Sequence, residues 1–171
     1  SDLSEKTSSN LVVISGFDWN NDLTPWKADG IKKGEIFGGK ADNLLNILLS
    51  DFFVNIEMSL RIRKPKRYIC GVSLSGLFAL WASMKKELFT GVAAISGSFW
   101  YDGFTEWFSK HDHVYSDVFY FSLGEKEKDG KNARLAAVQE ETDKVIAMLK
   151  ADGAVFQCTV MLPAVLLPSA A

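Results

Sequence analysis

The sequence predicts an α/β domain, a three-layer sandwich with helices on both faces of a mostly parallel sheet. Three observations predict it. Short apolar runs alternate with helical segments of roughly 10–20 residues, the pattern of right-handed βαβ units. Several of these runs end in glycine or serine, as at Gly16, Ser96 and Gly124. One run passes through a tight turn of small residues straight into an apolar helix, at Gly71-Val72-Ser73-Leu74-Ser75. The 171 residues fit one domain, 1–171, long enough to bury a core.

Each element has its own justification. Residues 1–10 are mostly polar and fit the tail of a helix or an irregular lead. Residues 11–16, Leu-Val-Val-Ile-Ser-Gly, read as a buried parallel strand. Residues 17–40 are rich in Gly, Asp, Asn and Trp and read as a long functional loop at the carboxyl edge of the sheet. Residues 41–60 form a helix, because Leu44, Leu45, Leu48, Leu49, Phe52, Phe53 and Ile56 follow the helical period. It stops before Pro65, which cannot continue it. Tyr68–Val72 is the next strand and Leu74–Lys85 the helix behind it. Gly91–Ile95 is a strand ending in Ser96-Gly97-Ser98, and residues 103–110 are a short helix with Phe104, Trp107 and Phe108 on one side. Residues 118–123 are a strand, 133–150 a long amphipathic helix closed by Asp152-Gly153, and 154–161 the last strand. Residues 162–171 carry Pro163 and Pro168 and show no periodicity.

Composition removes several functions. Apolar residues are 47% and charged residues 23%, an ordinary globular balance. The net charge of −2 gives no electrostatic case for nucleic acid or an anionic membrane. The basic run Arg61-Ile-Arg-Lys-Pro-Lys-Arg67 reads as a solvated loop entering a strand. Cys70 and Cys158 offer neither a disulfide framework nor metal-ligand spacing, and Cys70 reads as a buried thiol inside a strand. His111 and His113, with Asp112 and Asp117, make a loop cluster that reads as surface rather than as a metal site. No cofactor is implied. The chain as given shows no signal-peptide pattern and no 18-residue apolar run, so it reads as cytosolic.

The small-residue turn carries the chemistry. Gly71-Val-Ser-Leu-Ser75 is one residue away from G-x-S-x-G, a turn that lifts a serine hydroxyl above a sheet. Residues two before and two after the serine must be small, since strand and helix backbones nearly touch there. Gly71 meets the first requirement; Ser75, small but not glycine, stands at the second. An ordinary βα turn would need small residues too, for packing alone. The helix start behind Ser73 offers unpaired N–H groups and a positive dipole end to a developing oxyanion. No lysine follows the turn as a P-loop requires. A serine nucleophile needs a base, and the base an orienting acid. The turn Leu123-Gly-Glu-Lys-Glu127 offers Glu127 first and Glu125 in reserve, though a solvated Glu/Lys turn explains either alone. Both histidines precede this acid and none follows it.

From residue 11 to 150, about four-fifths of the chain, the sequence resembles the putative esterase family of α/β-hydrolases, in its short bacterial branch related to siderophore esterases. The matching segments are Ile14-Ser-Gly-Phe-Asp-Trp-Asn-Asn-Asp-Leu-Thr-Pro-Trp26, Gly38-Gly-Lys-Ala-Asp-Asn-Leu44, residues 70–80 around Ser73, Ile95-Ser-Gly-Ser-Phe-Trp100 and Ser122-Leu-Gly-Glu-Lys-Glu127. The resemblance implies an α/β-hydrolase-type fold, Ser73 as nucleophile, the Leu74 N–H as an oxyanion donor and Glu127 as acid. It also implies Trp19, Trp26 and Trp100 in the substrate cleft, with Trp19 and Trp26 open to a packing role instead. Two departures stand out. The family strand whose loop gives the second oxyanion N–H should precede Leu11, and the family's terminal Gly-x-His-Phe-like segment is replaced here by Leu162-Pro-Ala-Val-Leu-Leu-Pro-Ser-Ala-Ala171. The expectation is a serine carboxylesterase, shortened at both ends and impaired without the histidine, acting on a small-molecule ester. The alternative is an inactive hydrolase-fold binding protein. Self-association is left open.

Overall fold

The computed structural model describes residues 9–85, 87–111, 116–129 and 131–162, and for 156–162 the backbone alone. In chain order it contains α1 (Trp19–Asp22), β1 (Lys27–Asp29), β2 (Ile36–Gly38), α2 (Ala41–Ile47), a π-helical turn (Leu48–Phe52), α3 (Phe53–Ser59), β3 (Tyr68–Val72) and α4 (Leu74–Lys85). Then come β4 (Gly91–Ile95), α5 (Phe104–Phe108), β5 (Val118–Gly124), a 3₁₀ turn (Glu127–Asp129), α6 (Ala133–Ala136), α7 (Val138–Ala151) and β6 (Phe156–Leu162).

The main sheet is parallel throughout, in the order β3-β4-β5-β6. Parallel neighbours need a crossover, and α4 supplies the one between β3 and β4. The register aligns Gly71 with Ala94, Ala94 with Phe121 and Phe121 with Thr159. All carboxyl ends therefore share one edge, which brings the turns after Val72, Ile95 and Gly124 together. The fold is the mixed α/β architecture around a parallel sheet that the alternating elements predict.

Helix α4 is buried on nearly every side: Leu74, Gly76, Leu77, Phe78, Ala79, Leu80, Trp81, Ala82, Ser83 and Met84 are all inside. A helix apolar all round belongs in a core. Ser83 tolerates burial because its hydroxyl donates to the Leu80 carbonyl at 2.7 Å. Phe99 stacks on Phe104 with centroids 5.6 Å apart and meets Phe121 edge-on at 5.7 Å. Burying each such ring contributes about 1.5–3 kcal/mol, so this packing helps hold the sheet beneath the site together.

Several expectations are corrected. Residues 11–16 form no strand: Leu11 is 63% and Val13 80% exposed. An apolar run becomes a strand only beside a ladder partner, and among the described residues this one has none. Residues 17–40 are not one loop: Asp18 caps α1 by accepting from the Asn20 and Asn21 N–H groups, and β1 and β2 pair as an antiparallel hairpin. The 41–60 helix is interrupted by the π turn and ends at Ser59, with Arg61 left-handed at φ 56°. The 133–150 helix is two helices, the first capped by Asn132. Cys70 is exposed, because Tyr68, Cys70 and Val72 alternate onto one face of β3 and all three are exposed there. Local crowding still pushes its thiol pKa up by desolvation. Gly153, at φ 81°, ends α7 as expected. The expectations for residues 1–8 and 163–171, and for Asp112 and His113, lie outside the described residues. Among the described residues no helix is long and apolar enough to cross a membrane.

Candidate active site

Ser73 stands between β3 and α4 with φ 57°, a left-handed backbone that a residue with a Cβ rarely adopts. The turn is as tight as the spacing predicts. A Cβ on Gly71 would lie 2.1 Å from the Ser75 carbonyl oxygen. The second point of close approach is Gly76 rather than position 75: a Cβ there would meet the Gly71 oxygen and the Gly97 Cα at 3.1 Å each. Ser75 has a different task. Its hydroxyl accepts from the Val72 N–H and donates to the Val72 carbonyl, both at 2.7 Å. Ser73 N–H points toward β4, donating to the Ile95 carbonyl. Strand alternation aims the Val72 groups at the outer edge, so Ser75 covers the last open position of that edge.

The Ser73 hydroxyl is partly exposed, and its oxygen lies 3.2 Å from the buried Ser98 Oγ. Leu74 opens α4, and its N–H is one of the first-turn groups without a helical acceptor. Across the edge, Glu127 faces the sheet while Glu125 points to solvent. Glu127 Oε1 accepts from the Ser96 hydroxyl at 2.6 Å and from the Gly124 N–H at 2.8 Å. A Cβ on Gly124 would come within 2.8 Å of that oxygen. Ser96 is itself left-handed, at φ 48°, and donates its N–H to the Ser122 carbonyl.

One turn after β4 thus touches both candidates: Ser98 the hydroxyl of Ser73, Ser96 the carboxylate of Glu127. The sequence marks Ser96 as a strand end where ligands gather in parallel sheets but gives no role to either serine.

The aromatic candidates separate. Trp19 is 45% exposed and stacks on Phe17. Trp26 packs against Tyr101 and Trp107, donates from Nε1 to the Asp102 carbonyl at 2.9 Å, and accepts from the Tyr101 hydroxyl at its own carbonyl. Trp100 lines an open cavity of about 480 Å³ with Asp102, Arg134 and Glu141. The Arg134 guanidinium lies 5.5 Å from the Trp100 ring, pairs with Asp102 at 2.9 Å, and donates to the Asp29 and Gly30 carbonyls. It clamps the β1–β2 turn to the loop after Ser98. Burial alone would raise the Glu141 carboxyl, but hydrogen bonds from Lys144 and Thr105 outweigh it and hold it low. Ser73 and Glu127 do not line this cavity.

His111 sits on Trp107, with its Nδ1 2.7 Å from the Trp107 carbonyl oxygen and the rings 4.4 Å apart. Among the described residues no histidine is hydrogen-bonded to Ser73, and no three His, Cys, Asp or Glu residues cluster to hold a metal.

Comparison with known proteins gives a consistent result. Uncharacterized protein YbbA of Bacillus subtilis (strain 168) is 32% identical over 102 residues, 56% of this chain and 41% of that protein. The chain therefore spans about two-fifths of that relative. The siderophore hydrolase EstA from Aspergillus nidulans superposes with a TM-score of 0.64 at 18% identity, covering 92% of this chain and 69% of that one. EstB of the same organism gives 0.59 at 18% identity, covering 85% and 57%. These two likenesses are of fold. Residues 7–151 match the family described as Putative esterase, and the chain belongs to that family.

Proposed function

We propose that the protein is a serine hydrolase of carboxylic esters with Ser73 as its nucleophile. The observation that carries this reading is the left-handed Ser73 at the strand-to-helix bend, its hydroxyl partly open beside the first N–H groups of α4. Family membership supports the reaction class.

In this reading the Ser73 oxygen attacks the acyl carbon while its proton passes to an imidazole. The carbonyl oxygen gains charge, which the Leu74 N–H and the positive end of α4 stabilise. The tetrahedral intermediate collapses, the imidazolium protonates the departing alcohol, and water hydrolyses the acyl-enzyme by the reverse sequence. Glu127 orients the imidazole. Both of its observed hydrogen bonds fall on Oε1, which leaves Oε2 for an imidazole N–H. Trp100 contacts the substrate beyond the ester, with Trp19 at the rim; Trp26 contributes by packing. The protein acts on its substrate away from membranes and nucleic acid.

No imidazole stands beside Ser73 among the described residues. Loss of one triad member costs several orders of magnitude in rate, so turnover by this chain is expected to be weak and to rise when free imidazole is added. Hydrolysis of a p-nitrophenyl ester tests the reading. Ser73→Ala should abolish the imidazole-dependent rate; a Ser73→Ala rate equal to wild type would overturn it.

The same missing contact favours a second reading, a binding protein that keeps the cleft without the chemistry. It requires saturable ester binding by the native chain, with turnover indistinguishable from Ser73→Ala at every imidazole concentration.

A further inference from the structure

We propose that Ser98 is a hydrogen-bond donor to the nucleophile oxygen, holding the Ser73 hydroxyl at rest and stabilising the negative charge it develops during attack. The inference rests on the reading of Ser73 as nucleophile and assigns a role to a residue outside the triad.

The Ser98 side chain is buried, with only 1% of its surface exposed. A hydroxyl so placed needs a partner, and among the described residues its partner is Ser73 Oγ at 3.2 Å. The main chain fixes this approach. Ser98 N–H donates to the Ser73 carbonyl at 3.1 Å, and the Tyr101 N–H donates to the Ser98 carbonyl at 3.0 Å. Gly97, beside it, has no room for a Cβ: one would meet the Phe99 ring at 2.7 Å. These bonds hold the Ser98 backbone beside Ser73 and keep its side chain inside. Its O–H is free to turn.

That freedom matches the needs of the reaction. At rest, either hydroxyl can donate to the other. When Ser73 turns its proton toward the base, its oxygen loses a donor and becomes electron-rich. Ser98 then donates to it, losing and gaining no proton of its own. Hydrogen bonds to charged groups are stronger than those between neutral ones, so this contact strengthens as charge develops on Ser73. The gain goes to the deprotonated nucleophile, so it shows as a lower pKa at that oxygen.

The test uses a thiol in place of the nucleophile, so it needs no ester turnover. In the full chain carrying Cys70→Ser and Cys158→Ser, Ser73→Cys leaves a single thiol at the site. Its alkylation by iodoacetamide across pH reports its ionisation. With Ser98 present, thiolate should form at lower pH. Ser98→Ala should raise the apparent pKa by about one unit, roughly a tenfold loss of thiolate at any pH below it. Ser98→Thr, which keeps the hydroxyl, should stay near the parent. Where Ser98→Ala fails to fold, the isosteric pair Ser98→Thr and Ser98→Val makes the same comparison at constant volume. Equal titration with and without the hydroxyl, in folded protein, would overturn the proposal. An unlabelled Ser73 in a fluorophosphonate experiment would sink the hydrolase reading but leave the thiol comparison standing. A labelled Ser73 with an unmoved thiol would sink the Ser98 role alone.

Discussion

The bend at Ser73 and the turn at Glu127 sit at the ends of neighbouring parts of one sheet, yet they are built by different forces. At Ser73 the constraint is steric. The chain must pass within van der Waals contact of itself, so Gly71 and Gly76 cannot carry side chains freely, and Ser73 is held in a left-handed conformation. At Glu127 the constraint is polar: one carboxylate oxygen gathers a hydroxyl and a backbone N–H, and the turn closes around it. A steric constraint fails abruptly when violated. A hydrogen-bonded one gives way in steps of about 1 kcal/mol. The difference predicts which substitutions unfold the protein and which only loosen its site.

The largest effect is expected at Gly71→Ala. Its new Cβ would overlap backbone atoms that cannot rotate away, and urea denaturation should show a loss of about 3 kcal/mol or more, or no folded protein. Gly76→Ala meets its neighbours less closely and should cost about 1–2 kcal/mol in the same experiment. If both tolerate alanine with little loss, the bend is not sterically built. On the polar side, Ser96→Ala leaves Glu127 Oε1 with the Gly124 N–H alone, and should cost about 1 kcal/mol. Ser75→Ala, which uncovers the Val72 N–H and carbonyl at the sheet edge, should cost a similar amount, about 1 kcal/mol.

A pH experiment sharpens the contrast from the neighbouring loop. Burial pushes the Tyr101 hydroxyl pKa up to about 12 from its ordinary value of 10.0. A raised folded pKa means that the neutral form is the one the fold favours. Its contribution is fully present below about pH 10 and is lost as pH rises through about 12. Alkaline denaturation midpoints should therefore fall steeply across that window in the wild type. Tyr101→Phe should flatten the fall while lowering stability at neutral pH, because the hydrogen bond to the Trp26 carbonyl is gone. A profile unchanged by Tyr101→Phe would refute the assignment.

The steric half of this comparison was the more legible in the sequence. Continuous apolar runs and small residues at fixed spacing announced β3, α4, β4 and β5, along with the bend at Ser73. Contacts set by register were not legible. Nothing in Ser96-Gly97-Ser98 says that one serine will meet Glu127 and the other Ser73. That follows only when β3, β4 and β5 align Val72, Ile95 and Ser122 at one level. Residues 11–16 show the same limit in reverse, since Leu11-Val-Val-Ile has every local mark of a strand and, among the described residues, lacks a ladder. The hairpin of β1 and β2 was hidden because three-residue strands carry too little alternation to separate from a loop. The π turn at Leu48–Phe52 was hidden because its leucines keep an apolar face on either side of it. Cys70 was misplaced inward because an apolar run does not say whether one face of its strand is left uncovered.

Peptide mapping by mass spectrometry, after exposure to a fluorophosphonate with and without imidazole, tests the central claim most directly. The account predicts an adduct on Ser73, slow in buffer alone, faster with imidazole and missing from Ser73→Ala. No adduct at Ser73 under either condition, or an adduct elsewhere that survives Ser73→Ala, would contradict it.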